Sequence, residues 1–181
     1  MYQAPFGWAN LAKLLALNTR DDLRPIWVKD KTLTVTNGHV LIRSQHDVPD
    51  GLYQLGLGGV LELLTPQPDD YPELQITGFE NRVVSSATPF GTLTRESRSE
   101  IALRASALLE IEEKEMWLPE FANTWVNPKY VVIALTELSR YGDTKVLRAP
   151  AEDAPVLIGL NWGQCCLVMP IRKEPLSNDP S

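Results

Sequence analysis

The stretch Thr32–Arg43 reads Thr-Leu-Thr-Val-Thr-Asn-Gly-His-Val-Leu-Ile-Arg. Apolar and polar residues alternate on both sides of Asn37-Gly38, and alternation with period two is the mark of a strand with one buried face. Asn and Gly both tolerate positive φ, so the pair predicts a tight hairpin turn joining two antiparallel strands. Outward from this hairpin, Arg24 to Lys29 and Asp50 to Leu57 also read as strands. Upstream, Trp8, Leu11, Leu14, Leu15 and Leu17 fall at helical spacing, with Asn18 as a stop. Downstream, Pro66, Pro68, Asp69, Asp70 and Pro72 mark a connector.

The second half repeats the plan in architecture, not in sequence. Asn127-Pro128 predicts a helix start, with Asn as N-cap and Pro in the first turn. Tyr130, Val131, Ala134, Leu135 and Leu138 supply its buried stripe, and Gly142 is expected as the C-cap. Three strands are expected to follow, at Thr144 to Arg148, Pro155 to Leu160 and Gln164 to Ile171. Further strands are expected at Leu74 to Thr77 and Arg82 to Thr88. Arg98 to Trp117 is ambiguous: its Ala, Leu and Glu favour helix, but Ile101, Leu103, Ala105 and Ala107 also fit alternation, and the reading leans to strand. Together these elements predict an α+β fold with helices on one face of antiparallel sheets.

The 181 residues suffice for one sizeable core or two small ones. Apolar residues make up 44% and charged residues 22%, an ordinary globular balance. The longest apolar runs, Tyr130 to Leu135 and Cys165 to Pro170, fall far short of the roughly 20 residues that span a bilayer. The first 17 residues lack the basic and apolar regions of a signal peptide, so the expected compartment is the cytoplasm. The net charge of -6 argues against tight, charge-driven nucleic-acid binding, although it leaves room for a local basic face.

Catalytic chemistry finds little support. Gly56-Leu57-Gly58-Gly59 is not a dinucleotide fingerprint, and no phosphate-binding GK[ST] loop exists. His39 and His46 have no metal-ligand spacing around them. The acidic pairs Asp69-Asp70 and Glu112-Glu113 read as solvated surface, and the adjacent Cys165 and Cys166 as buried thiols in a strand. No cofactor, metal or enzyme activity is expected.

Three segments, in order, resemble the bacterial DNA sliding clamp, the β subunit of the replicative DNA polymerase III. The first is Leu11 to Ile26, ending Arg20-Asp21-Asp22-Leu23-Arg24-Pro25. The second is Thr36-Asn37-Gly38-His39-Val40-Leu41, similar to the clamp's T-D-G-H-R-L hairpin. The third comprises Val126-Asn127-Pro128-Lys129-Tyr130, Pro155-Val156-Leu157-Ile158 and Leu167-Val168-Met169-Pro170-Ile171-Arg172, similar to the clamp's last helix, strands and M-P-x-R tail. Tyr71-Pro72-Glu73-Leu74 is a weaker echo of a segment that closes a clamp half-domain. The likeness covers about half the chain and leaves residues 77–125 unmatched. Asn37 stands where the family usually has Asp, and Val40 where it often has Arg.

The resemblance implies a sliding-clamp (processivity) fold, with two helices packed on antiparallel sheets. It implies one clamp-like domain over residues 1–172, with pseudo-repeat halves near 1–75 and 99–172, and a disordered tail at 173–181. The small clamp-like proteins of bacteriophages and plasmids are the nearest type. The clamp binds linear peptides, usually a Gln followed by Leu and Phe, between two regions that this chain retains. Carried across, one wall would be Arg24, Thr36, Gly38, His39 and Leu41; the other would be Val168, Met169, Pro170, Ile171 and Arg172. Each residue also has an ordinary reading: Arg24 pairing with Asp21 or Asp22, His39 as a plain hairpin residue, Val168 to Ile171 as a core strand. Clamp helices face DNA, and the corresponding bases would be Lys13, Arg20, Lys129 and Arg140, or else a solvated helix face. The implied function is a non-catalytic replication accessory protein. Its partners would be DNA polymerase or other replication proteins, and double-stranded DNA if it assembles as a ring-forming homo-oligomer. The alternative is an interaction module that keeps the peptide pocket without the ring.

Overall fold

In a computed structural model, the structure describes residues 2–3, 14, 26–65, 88–148 and 154–172. The elements in chain order are β1 (Tyr2–Gln3), β2 (Ile26–Lys29), β3 (Thr32–Thr36), β4 (Val40–Gln45), β5 (Gly51–Leu55) and β6 (Val60–Thr65). Then come β7 (Thr88–Leu93), α1 (Arg95–Glu110), β8 (Met116–Leu118), β9 (Thr124–Val126), α2 (Pro128–Leu138), β10 (Thr144–Arg148), β11 (Val156–Asn161) and β12 (Gln164–Val168). Ten strands form one antiparallel sheet in the order β1-β6-β5-β2-β3-β4-β12-β11-β10-β7, and β8 and β9 form a separate ribbon. This is the α+β class expected.

The predicted hairpin is present, with its turn one position later than expected. Thr36 pairs with Leu41, and Gly38 takes φ 89°. Asn37 is not a positive-φ residue; its Oδ1 instead accepts the N–H groups of His39 (2.9 Å) and Val40 (3.0 Å). The turn therefore centres on Gly38 and His39, with glycine at the first central position, where a positive φ is needed. Of the expected helix at 8–17, only Leu14 lies among the described residues; it is helical and fully buried. The expected strand at 74–77, the 66–72 connector and the 173–181 tail lie outside them, as does the expected strand at 82–88 except for Thr88, which opens β7.

The leaning to strand at 98–117 is corrected: Arg95–Glu110 is an α-helix, and only Met116–Leu118 is strand. Thr94 caps the helix, its hydroxyl accepting the Ser97 N–H at 3.1 Å. Arg98, Ile101 and Ala105 are buried at intervals of three and four, while Leu103 is 71% exposed. The apolar residues that fit alternation thus do not share a face. The buried Arg98 holds the element instead. Its guanidinium donates to the carbonyls of Leu93 (3.1 Å), Gly142 (2.6 Å) and Tyr141 (2.7 Å), and to the Thr144 hydroxyl (3.1 Å). Helix α1 therefore adds to the two helices expected.

Helix α2 follows the sequence reading at its start, where Asn127 Oδ1 accepts the Lys129 N–H at 2.9 Å and Pro128 opens the first turn. Its end differs: the helix stops at Leu138, Ser139 is the cap, and Gly142 is not among the positive-φ glycines. Gly142 serves through its carbonyl, as an acceptor for Arg98.

The main core lies between the helices and one face of the sheet. It gathers Leu14, Ile26, Val35, Val40, Ile42, Ile101, Val131, Leu135, Leu138, Ile158, Cys166 and Val168, among others. A second, smaller cluster occupies the opposite face: Leu41, Leu157, Cys165 and Leu167, with Leu147 and Trp162 against it. Leu41, Leu167, Leu157 and Leu147 lie in direct cross-strand register on four neighbouring strands. Directly opposed residues share a face, so they form one leucine ladder.

Candidate peptide-binding site

The two sequence segments expected to face each other are neighbours in the sheet. β4 pairs with β12 through Val40↔Val168, Leu41↔Leu167, Ile42↔Cys166 and Arg43↔Cys165. The pairing runs on past the strand ends, where the Met169 N–H donates to the His39 carbonyl at 2.8 Å. The chain then crosses towards β9, and the Ile171 N–H donates to the Trp125 carbonyl at 2.8 Å. The segment Met169-Pro170-Ile171 is therefore held at both ends by backbone bonds, with its side chains half-buried and Arg172 exposed beyond it.

The start of α2 completes this end of the sheet. Tyr130 lies in the first turn, and its ring stacks on the His39 imidazole, centroids 5.2 Å apart and planes within 10°. The sequence reading placed Tyr130 only in the buried stripe of the helix. Its spacing from the Asn127 cap is what sets it over the hairpin, and the Asn-Pro-Lys-Tyr segment was the available signal. Near the stacked Tyr130 and His39, the chain thus carries the half-buried Met169, Pro170 and Ile171, a set of aromatic, thioether and aliphatic side chains at this end of the sheet. Such side chains suit the apolar anchors of a linear peptide, because thioether and aromatic groups adapt to varied shapes.

The expected wall residues do not all serve alike. Thr36 uses its hydroxyl inside the turn, donating to the Val40 carbonyl at 2.8 Å and accepting the Gly38 N–H at 3.0 Å. Gly38 is exposed, and its positive φ is accounted for by the turn. Val168 is fully buried in the main core, while Leu41, on the next strand, lies in the cluster on the other face. Those two side chains are therefore separated by the sheet itself. His39 is stacked on Tyr130, Met169 is bonded to the hairpin through its backbone, and Pro170 and Ile171 follow towards β9. Arg24 lies outside the described residues.

Of the expected DNA-facing bases, the two among the described residues lie at opposite ends of α2. Lys13 and Arg20 lie outside the described residues. Lys129 is half-buried in the first turn of α2. Arg140 lies past the other end of the helix, whose axis runs about 13 Å from Lys129 to Leu138 at 1.5 Å per residue. Its guanidinium donates to the Ser44 hydroxyl at 2.7 Å and lies 5.0 Å from the Tyr141 ring centre. Among the described residues, no group of three or more His, Cys, Asp or Glu side chains is placed to hold a metal ion. No helix among them is long and apolar enough to cross a membrane.

A scan against protein-family models and a search of curated proteins each found no match. Solved structures do match. The Helicobacter pylori beta clamp in complex with diflunisal superposes with a TM-score of 0.56 at 15% identity, over 94% of this chain and 65% of that one. The same organism's beta clamp bound to a DNA ligase peptide gives 0.53 at 18% identity, again over 94% and 65%. A putative DNA polymerase III beta subunit from Eubacterium rectale gives 0.50 at 10% identity, over 92% and 64%. This chain thus spans somewhat less than two thirds of the length of these clamps. With ten antiparallel strands, helices on one face and superposition over nearly its whole length, the chain has the fold of the bacterial β clamp.

Proposed function

We propose that this chain is a clamp-like replication accessory protein, not an enzyme, that binds linear peptide motifs of replication partners at the junction of β4, β12 and α2. One observation carries the reading. The two segments that resemble the clamp's peptide-binding walls, Thr36–Leu41 and Leu167–Arg172, are joined by backbone pairing at one end of a clamp-fold sheet. Support comes from the DNA ligase peptide bound to one of the structural neighbours. The partner peptide would place Leu and Phe side chains on Met169, Pro170, Ile171 and Tyr130, with His39 and Arg172 fixing orientation. The test is fluorescence polarisation with a labelled peptide carrying a Gln followed by Leu and Phe. Saturable binding is expected, weakened at least fivefold by Met169→Ala and by His39→Ala. Absence of binding at high micromolar protein would refute the reading.

Whether the protein also encircles DNA is a matter of assembly. A ring would require a closed homo-oligomer with a basic inner surface. The outward face of α1 favours the alternative, an interaction module without a ring. Its exposed charges are Arg95 and Arg104 against Glu96, Glu100 and Glu110, and Arg104 is engaged by Glu120 at 2.7 Å. Phosphates would meet net repulsion there. Light scattering across a concentration series at low and moderate salt separates the two. A discrete ring-sized species supports encirclement, and a monomer or dimer throughout supports the module.

A further inference from the structure

The β8–β9 ribbon buries Met116, Leu118, Thr124 and Val126 on one side and turns two tryptophans outward on the other. Trp117 is 43% exposed and Trp125 36%. They are directly paired across the ribbon, with ring centroids 5.5 Å apart and planes tilted by 53°. The ribbon's other side supplies the core contacts, and these two half-exposed indoles lie side by side on its outer side. Tryptophan presents a large apolar area and is among the residues most enriched at the energetic centres of interfaces.

Two further observations say what would cover them. The ribbon is continuous with the candidate site: the Trp125 carbonyl accepts the Ile171 N–H, and β9 leads directly into the Asn127 cap and Tyr130. The chain entering β8 is also strongly acidic. Glu110, Glu112, Glu113 and Glu115 against Lys114 give this exposed turn a charge of -3 (four negative, one positive). Indole faces attract cations through the ring quadrupole, and neighbouring carboxylates reinforce the same preference.

We propose that Trp117 and Trp125, with the acidic turn before them, form a second subsite that takes an arginine or lysine side chain flanking the apolar anchors of the docking peptide. The proposal rests on the peptide-binding reading above and deepens it. Strands lie about 4.8 Å apart, so the Trp117 backbone is two strand spacings, about 10 Å, from that of Ile171. An extended peptide covers that distance in about three residues. The cation is therefore expected about three positions from the nearest apolar anchor.

The test compares labelled peptides that share the Gln, Leu and Phe anchor, extended at either end with three residues that contain arginine, alanine or glutamate. The arginine extension at one end is expected to bind about five- to tenfold more tightly than the alanine one. The glutamate extension is expected to bind more weakly than alanine, and raising the salt should shrink the spread. Trp117→Ala should erase the arginine advantage and leave the alanine-extended peptide within about twofold. Glu112→Gln combined with Glu113→Gln should reduce the advantage without removing it. Equal binding of all extensions, or an arginine advantage that survives Trp117→Ala, overturns the subsite. A Trp117→Ala variant that weakens every peptide equally also overturns it, by assigning the residue a structural role. Failure of the peptide-binding reading looks different: the alanine-extended peptide would not bind at all. In that case, Trp117-dependent binding of the arginine peptide would uphold the subsite alone, and no binding by either would end both.

Discussion

Helices α1 and α2 pack against each other, yet they are held in the molecule by different physics. Helix α2 presents Val131, Ile133, Ala134, Leu135 and Leu138 to the core, and its attachment is mostly apolar area removed from water. Helix α1 buries only Ile101, Ala105 and the guanidinium of Arg98, which spans four acceptors from β7, β10 and the turn after α2. Area tolerates small shifts; a fork of directional bonds does not. The helix that supports the candidate site through Tyr130 is thus fixed by apolar bulk, and the other helix by a smaller apolar contact together with the Arg98 fork.

The largest effect should come from removing that side chain. Arg98→Ala leaves three buried or part-buried carbonyls and a hydroxyl without their donor, so a loss of about 4 kcal/mol is expected from chemical denaturation. A loss under about 1 kcal/mol would mean that α1 is held by area after all. Leu138→Ala, on the apolar helix, should cost about 3 kcal/mol through lost burial and the cavity left behind. Removing the helix caps by Thr94→Ala or Asn127→Ala should cost about 1 kcal/mol each, since both side chains accept a first-turn N–H. The Asn127 change should in addition weaken peptide binding, because it loosens the turn that carries Tyr130.

Glu137 sharpens the contrast, as the one acidic group on the buried face of α2. It is 3% exposed, and neither carboxylate oxygen has a hydrogen-bond partner among the described residues. Burial pushes its pKa up, and the nearby Arg140 only partly offsets this. A raised folded-state pKa favours the protonated form in the fold. Its stabilising effect is therefore full below the ordinary glutamate range and lost as the pH rises through the raised value. Glu137→Gln should abolish that decline, so melting temperatures of variant and parent should diverge from mildly acidic to neutral pH. The smallest effect is expected at Leu103, exposed on α1: Leu103→Glu should change stability by no more than about 0.5 kcal/mol.

Legibility in the sequence followed the same division. Helix α2 could be read because cap, proline and apolar stripe agree, and the β3–β4 hairpin because alternation and turn residues agree. Helix α1 was obscured because a charged residue lies inside and a leucine outside, which inverts the hydrophobic pattern that sequence reading relies on. At the site, the sequence supplied both segments and their order. It did not supply their faces: Leu41 and Val168 carry the same apolar character but fall on opposite sides of the sheet. Tyr130 and the tryptophan pair were hidden for a related reason, since an aromatic residue in a strand or helix reads as core until its exposure is known.

The adjacent cysteines of β12 turn that two-sidedness into a clock. Consecutive residues of a strand point to opposite faces, so Cys165 belongs to the leucine-ladder cluster and Cys166 to the helix-covered core. Both thiols are buried, and burial holds Cys166 well above the ordinary thiol range, so modification waits for its face to open. A thiol reagent read out by peptide mass spectrometry would therefore time two separate openings of a single strand. Cys165 would report the lifting of whatever covers the ladder, and Cys166 the departure of α2. A bound peptide that braces α2 should slow the second timer and leave the first running at its own rate.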